Sequence, residues 1–108
     1  MSTTNPTNGD GTIIVRVELR LQKILPNFLA KRKEDLVSMA EALQRGDYET
    51  IRVFGHRMKG TGGSYGLDWI SVTGKSLEDA AKNKNEVFAK ALLDSFSDYL
   101  KRISVVYE

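Results

Sequence analysis

Between Pro26 and the C-terminal Glu108 the chain carries no proline, and its breaking signals fall at three places: Gly46-Asp47, the glycine-rich run that ends at Gly66, and Asn83-Lys84-Asn85. Everything between those breaks has apolar residues recurring at three- and four-residue intervals, the period of an amphipathic helix. The first segment runs from about Pro26 to Arg45, with Phe28, Leu29, Leu36, Ala40 and Leu43 on one side. Pro26 suits a first helical turn, where the missing N–H is no loss. Gly46 is a stop and Asp47 an N-cap for the second segment, about Tyr48 to Tyr65. The third covers about Leu67 to Lys82, striped by Leu67, Ile70, Gly74, Leu77 and Ala81. The fourth covers about Glu86 to Val106, with Phe88, Leu92, Phe96, Tyr99, Ile103 and Val106 alternating at four and three. Long amphipathic helices joined by short connections predict an all-α fold, an antiparallel four-helix bundle.

Ahead of the bundle the signals are weaker. A short helix is expected over about Glu18 to Ile24. Ile13 to Val17 is β-branched enough for a strand, but no second strand signal is evident, so it is expected to pack extended on the helices. Residues 1–12 are polar, glycine-bearing and aperiodic, and are expected to form a disordered tail to a domain over 13–108.

Composition narrows the function. At 108 residues the chain is expected to be one domain with a single core. It has no cysteine and one histidine, which removes thiol chemistry and leaves a zinc site without its usual ligands. Sixteen basic and 14 acidic side chains are too balanced and too mixed for a nucleic-acid footprint. No apolar run reaches a membrane span and no signal peptide opens the chain, so a cytoplasmic monomer is expected.

The one histidine, His56, opens the run His56-Arg57-Met58-Lys59-Gly60-Thr61-Gly62-Gly63-Ser64-Tyr65-Gly66. On a wheel at about 100° per residue, Ile51, Phe54, Met58 and Tyr65 fall within roughly 60° of one another. That stripe is the core face of the second helix. His56 lies about 140° from Ile51 by the same rise, facing outward with Glu49, Arg52, Lys59, Gly60 and Gly63 around it. A histidine buried and satisfied in the core conflicts with that wheel. An incidental surface histidine fits poorly with Gly55, Gly60, Gly62 and Gly63, since each glycine costs about 0.5–1 kcal/mol in a helix interior. Close approach of something large is the usual reason for such glycines, with a weakened helix end as the competing reason at Gly62 and Gly63.

An exposed imidazole is a capable nucleophile near neutral pH, and phosphoryl transfer asks the protein chiefly for position and positive charge. Lys59 stands one turn from His56 with its side chain expected in water, where it could neutralise phosphoryl oxygens; Arg52 and Arg57 add diffuse positive potential. Gly60 leaves room beside the ring. No phosphate-binding loop follows a strand, so the phosphoryl group is expected from another protein and not from ATP.

The stretch resembles the signature of histidine-containing phosphotransfer (HPt) domains: His-x-x-Lys-Gly, then glycine ten residues after the histidine. His56, Lys59, Gly60 and Gly66 occupy those positions, flanked by Ala42-Leu43-x-x-Gly46-Asp47 and Leu77-Glu78-x-Ala80-Ala81. The similarity extends from about Ile13 to the C-terminus. It departs from the family habit at Gly55, Thr61, Gly62 and Leu67. The resemblance implies a phosphoryl carrier without a catalytic ATP site, in which His56 accepts the group from a receiver-domain aspartate and returns it to another receiver. Lys59 would stabilise its charge and Gly60 would admit the partner. Receiver domains of response regulators or hybrid histidine kinases are the implied partners, and the Mg²⁺ of such exchanges belongs to the receiver, leaving this chain with no cofactor or metal of its own. With 108 residues, a stand-alone shuttle is expected. Arg52, Val53, Arg57 and Gly63 are candidates for the partner-binding rim.

Two other functions compete. A docking module would bind receivers without accepting phosphate, but would not need both His56 and Lys59. A small enzyme using His56 as general base wants an orienting carboxylate, and only Glu49 stands near. Elsewhere, Trp69 is expected at a bundle edge, the Phe88, Phe96 and Tyr99 stripe in the core, and Lys31-Arg32-Lys33 on a solvated helix face.

Overall fold

The computed structural model describes residues 11–108. Four helices dominate it: α1 (Leu25–Gln44), α2 (Tyr48–Thr61), α3 (Asp68–Lys82) and α4 (Glu86–Arg102). Two strands flank them, β1 (Ile13–Val17) and β2 (Ile103–Tyr107). Helix starts follow local chemistry. Asp47 caps α2, its carboxylate accepting from the Thr50 amide at 3.1 Å and the Thr50 hydroxyl at 2.6 Å. Asn85 caps α4 by accepting from the Phe88 amide at 3.0 Å. Each bond satisfies a donor that the first helical turn leaves open. Pro26 lies in the first turn of α1.

The helices pack around a shared core in which α1 touches α2 and α4, and α3 touches α2 and α4; the α2–α3 contact is the widest. Leu25, Met39, Ile51, Met58, Ile70, Leu77 and Phe96 are fully buried there. Trp69 is half-buried, stacked on Tyr99 at 4.1 Å between ring centroids, as expected for a bundle edge. Tyr65 stacks on Phe28 at 4.0 Å, tying the segment after α2 to α1. Arg32 is not simply solvated: it pairs with Asp35 at 2.8 Å and lies over the Phe28 ring.

Five expectations need correction. The fourth helix stops at Arg102, and residues 103–107 form β2. Ile103 and Val106 continue the four-and-three spacing, but the run Ile103-Ser104-Val105-Val106 is β-branched at three positions, and such residues favour extended backbone. β2 is the partner strand that β1 was expected to lack. The two run parallel, with Ile13 opposite Ile103 and Val17 opposite Tyr107. A pairing between residues so distant in sequence leaves no local pattern. Phe88 is 47% exposed and not core, and Ala40 is exposed while its neighbour Met39 is buried. Finally, where a helix over Glu18–Ile24 was expected, a single 3₁₀ turn spans Leu19–Leu21.

Of the expected tail, residues 1–10 lie outside the described residues. Gly11 is held by the Arg102 guanidinium, whose Nε donates to its carbonyl at 2.6 Å. No described helix is long and apolar enough to cross a membrane.

Candidate functional site

Ile51 and Met58 of α2 face the core, and the opposite side of the helix carries His56, Lys59 and Gly60, all exposed. The His56 side chain is 63% exposed. Its Nδ1 lies 3.0 Å from Oε2 of Glu78 on α3. Glu78 is the opposite kind of residue: a carboxylate with only 4% of its side chain exposed, one helix away. Lys59 reaches the same group, Nζ to Oε1, at 3.2 Å, and Lys82 approaches Oε2 at 3.7 Å. The Lys59 contact is an ion pair whose angles miss good hydrogen-bond geometry, so Oε1 is compensated by charge more than by a directed bond.

Burial alone would push the Glu78 carboxyl up, but the Lys59 ammonium, the His56 hydrogen bond and the Lys82 charge outweigh it and hold it down at about 2. Glu78 is therefore an anion at neutral pH, and an ionised carboxylate can only accept hydrogen bonds. The proton in the 3.0 Å contact must then sit on His56 Nδ1. In the neutral ring this leaves the lone pair on Nε2. A carboxylate that fixes a histidine's tautomer and ring orientation is a recurring device for aiming the other nitrogen.

Sequence reasoning named only Glu49 as a nearby carboxylate. That is corrected here: Glu49 holds Arg52 through two contacts of 2.9 and 2.6 Å, and Glu78 is the group on the imidazole. Lys59 likewise is not turned simply to water, since its ammonium leans over Glu78 with 40% of the side chain exposed. A signal for Glu78 existed. It follows Gly74 by one turn, so the two share a face of α3, and a glycine in a packed helix marks where another backbone comes close.

That closeness is measurable. A Cβ placed on Gly55 would sit 2.7 Å from the Gly74 carbonyl oxygen and 2.8 Å from the Glu78 amide nitrogen. One placed on Gly74 would sit 2.6 Å from both the Lys59 amide nitrogen and Met58 Cβ. One on Gly62 would meet the Ser71 amide nitrogen at 2.6 Å. Ser71 adds a hydrogen bond from its hydroxyl to the Lys59 carbonyl, satisfying an acceptor in the last turn of α2. Hence the large body that Gly55 and Gly62 admit is α3 itself, which corrects the reading that grouped them with the partner's approach. Gly60 differs: a Cβ there would meet no described atom within 4 Å. Gly66 serves a third purpose, taking the left-handed conformation at φ +74° that ends the 3₁₀ turn Gly63–Tyr65 and leads into α3.

An exposed imidazole on α2, a buried carboxylate beside it on α3 and a lysine one turn on thus form one cluster. The Hpt domain family matches residues 23–105, most of the chain. The chain belongs to that family. Hpt domains are the phosphocarrier modules of phosphorelays in two-component signalling, and they interact with receiver domains. No curated protein and no solved structure matches the chain.

The remaining candidates lie at different depths on this Hpt domain. Arg52 is half-buried and committed to Glu49. Val53 is half-buried. Arg57 is exposed, its guanidinium 5.4 Å from the Phe54 ring centroid. Gly63 is exposed just past α2, and a Cβ there would stand 3.7 Å from Asp68 Oδ1. They do not converge on the imidazole; the groups that do are Glu78 and, through it, Lys59 and Lys82.

Proposed function

We propose that His56 is the phosphoacceptor of this Hpt domain, taking a phosphoryl group from the aspartyl phosphate of one receiver domain and giving it to the aspartate of another. The observation that carries this reading is an exposed imidazole whose Nδ1–H is held by a buried anion, leaving Nε2 as the attacking atom. In the forward step Nε2 attacks phosphorus, the P–N bond forms, and the P–O bond of the acyl phosphate breaks to release a carboxylate. No proton need leave. The ring becomes a phosphorylated imidazolium, and Glu78 stands where that developing charge is compensated.

Lys59 is close enough to serve the phosphoryl oxygens, and Gly60 leaves the neighbouring surface flat enough for a receiver's loops to close over the ring. Among the described residues no contact explains why position 60 lacks a side chain, which supports an external reason. The Mg²⁺ of the exchange would come with the receiver. We read the helices as an antiparallel bundle, and the setting as the cytoplasm.

Incubation with a phosphorylated receiver domain tests the proposal. An acid-labile, base-stable label on the wild-type chain, and none on His56→Gln, is expected. A wild-type chain that stays unlabelled would overturn it; one that stays unlabelled yet still binds the receiver would favour the docking module.

A further inference from the structure

Glu78 holds more positive charge than the resting site requires. Two ammonium groups, Lys59 at 3.2 Å and Lys82 at 3.7 Å, bracket a single carboxylate that also faces the imidazole. They come from different helices: Lys59 from the same face of α2 as His56, and Lys82 from one turn further along α3. If Lys59 is to meet an incoming phosphoryl group, it must turn away from Glu78. It must do so before the ring carries any charge, because the ring becomes cationic only as the P–N bond forms. A buried carboxylate stripped of its cation is costly, and that cost would hold Lys59 in place. Lys82 removes the difficulty. Its side chain is 53% exposed and anchored on the same helix as Glu78, so it can close on Oε2 whatever α2 does.

Resting on the carrier reading above, we propose that Lys82 is a relief cation: a positioning residue that takes over Glu78 and frees Lys59 for the phosphoryl group. Lys82 touches neither the imidazole nor the phosphoryl group and acts only through the buried carboxylate. The pair then works as an exchange, with Lys59 moving between an internal and an external anion while Glu78 is never left alone.

The 108-residue chain can be phosphorylated with phosphoramidate, a small donor that needs no receiver, and followed by the growth of the P–N signal in ³¹P NMR. Lys82→Met should slow phosphorylation by about three- to tenfold, in the lower part of the range of couplings between contacting groups, and Lys82→Arg should restore most of it. The deciding comparison repeats Lys82→Met in a Glu78→Gln background. With no anion to hold Lys59, the second substitution should have no further effect on rate, whatever Glu78→Gln does alone. A merely structural lysine would give the same proportional slowing in both backgrounds, and that result overturns the proposal, as does an unchanged rate in the wild-type background. A chain that shows this pattern with phosphoramidate but takes nothing from any phosphorylated receiver would sink the carrier reading and leave the exchange standing.

Discussion

Gly55 and Gly60 lie five residues apart in α2 and are glycines for opposite reasons. Gly55 is buried in a seam where the backbones of α2 and α3 meet, and the space that a Cβ would fill is already occupied by Gly74 and Glu78 backbone atoms. Gly60 lies on the exposed side with no described atom within reach of a Cβ. The seam delivers the carboxylate: only because the two backbones come so near can a short Glu78 side chain reach a histidine that itself faces out. One side of α2 is thus built by omission of side chains so that the other can hold an aimed imidazole.

Three substitutions would sharpen or break that contrast. The largest effect is expected at the seam. Gly74→Ala would force a methyl group against the Lys59 amide nitrogen and Met58 Cβ, both 2.6 Å away. A loss of about 2–3 kcal/mol is expected, or roughly 10 °C in melting temperature, checked by thermal unfolding. An unchanged midpoint would mean the helices separate easily and the seam is not tight.

Next comes the charge the seam encloses. Glu78 ionises at about 2 in the folded chain against an ordinary value of 4.5. The folded state therefore keeps it charged where the unfolded chain would protonate it. Its stabilisation is complete above about 4.5 and drains away as pH falls from there towards 2. The melting-temperature gap between wild type and Glu78→Gln should accordingly be widest near neutral pH and narrow in acid. A gap that stays constant from pH 7 to pH 3 would contradict the ion-paired carboxylate.

The smallest effect belongs to the open side. Gly60→Ala should stabilise the fold by about 0.5–1 kcal/mol, the helix-propensity difference, because nothing stands in its way. Chemical denaturation would measure it. The same variant should take phosphate from a receiver more slowly, and a gain of stability without loss of transfer would remove the close-approach role of position 60.

How much of this was legible beforehand follows physical lines. The faces of α2 could be read because a 3.6-residue period is local: Ile51 and Met58 inward, His56 outward. The break at Gly46-Asp47 was equally local, since a cap bonds within its own first turn. The Glu78–His56 contact was not, because a carboxylate between Leu77 and Ala80 reads as an exposed interruption until Gly55 and Gly74 are known to touch. Lys59 was placed in water for the same reason. The end of α4 failed differently, since Ile103 and Val106 satisfy a helical stripe while their branched side chains suit a strand whose partner lies at the other end of the sequence.

That strand pair has a bearing on the order of assembly. All four helices lie in sequence between Ile13 and Ile103, so bringing the two strands together costs least loop-closure entropy once the bundle already exists. The helices would condense first through near neighbours and the clasp would zip last. In refolding followed by pulsed amide exchange, Val15 and Val106, whose amides face the partner strand, should gain protection after Ile51 and Phe96.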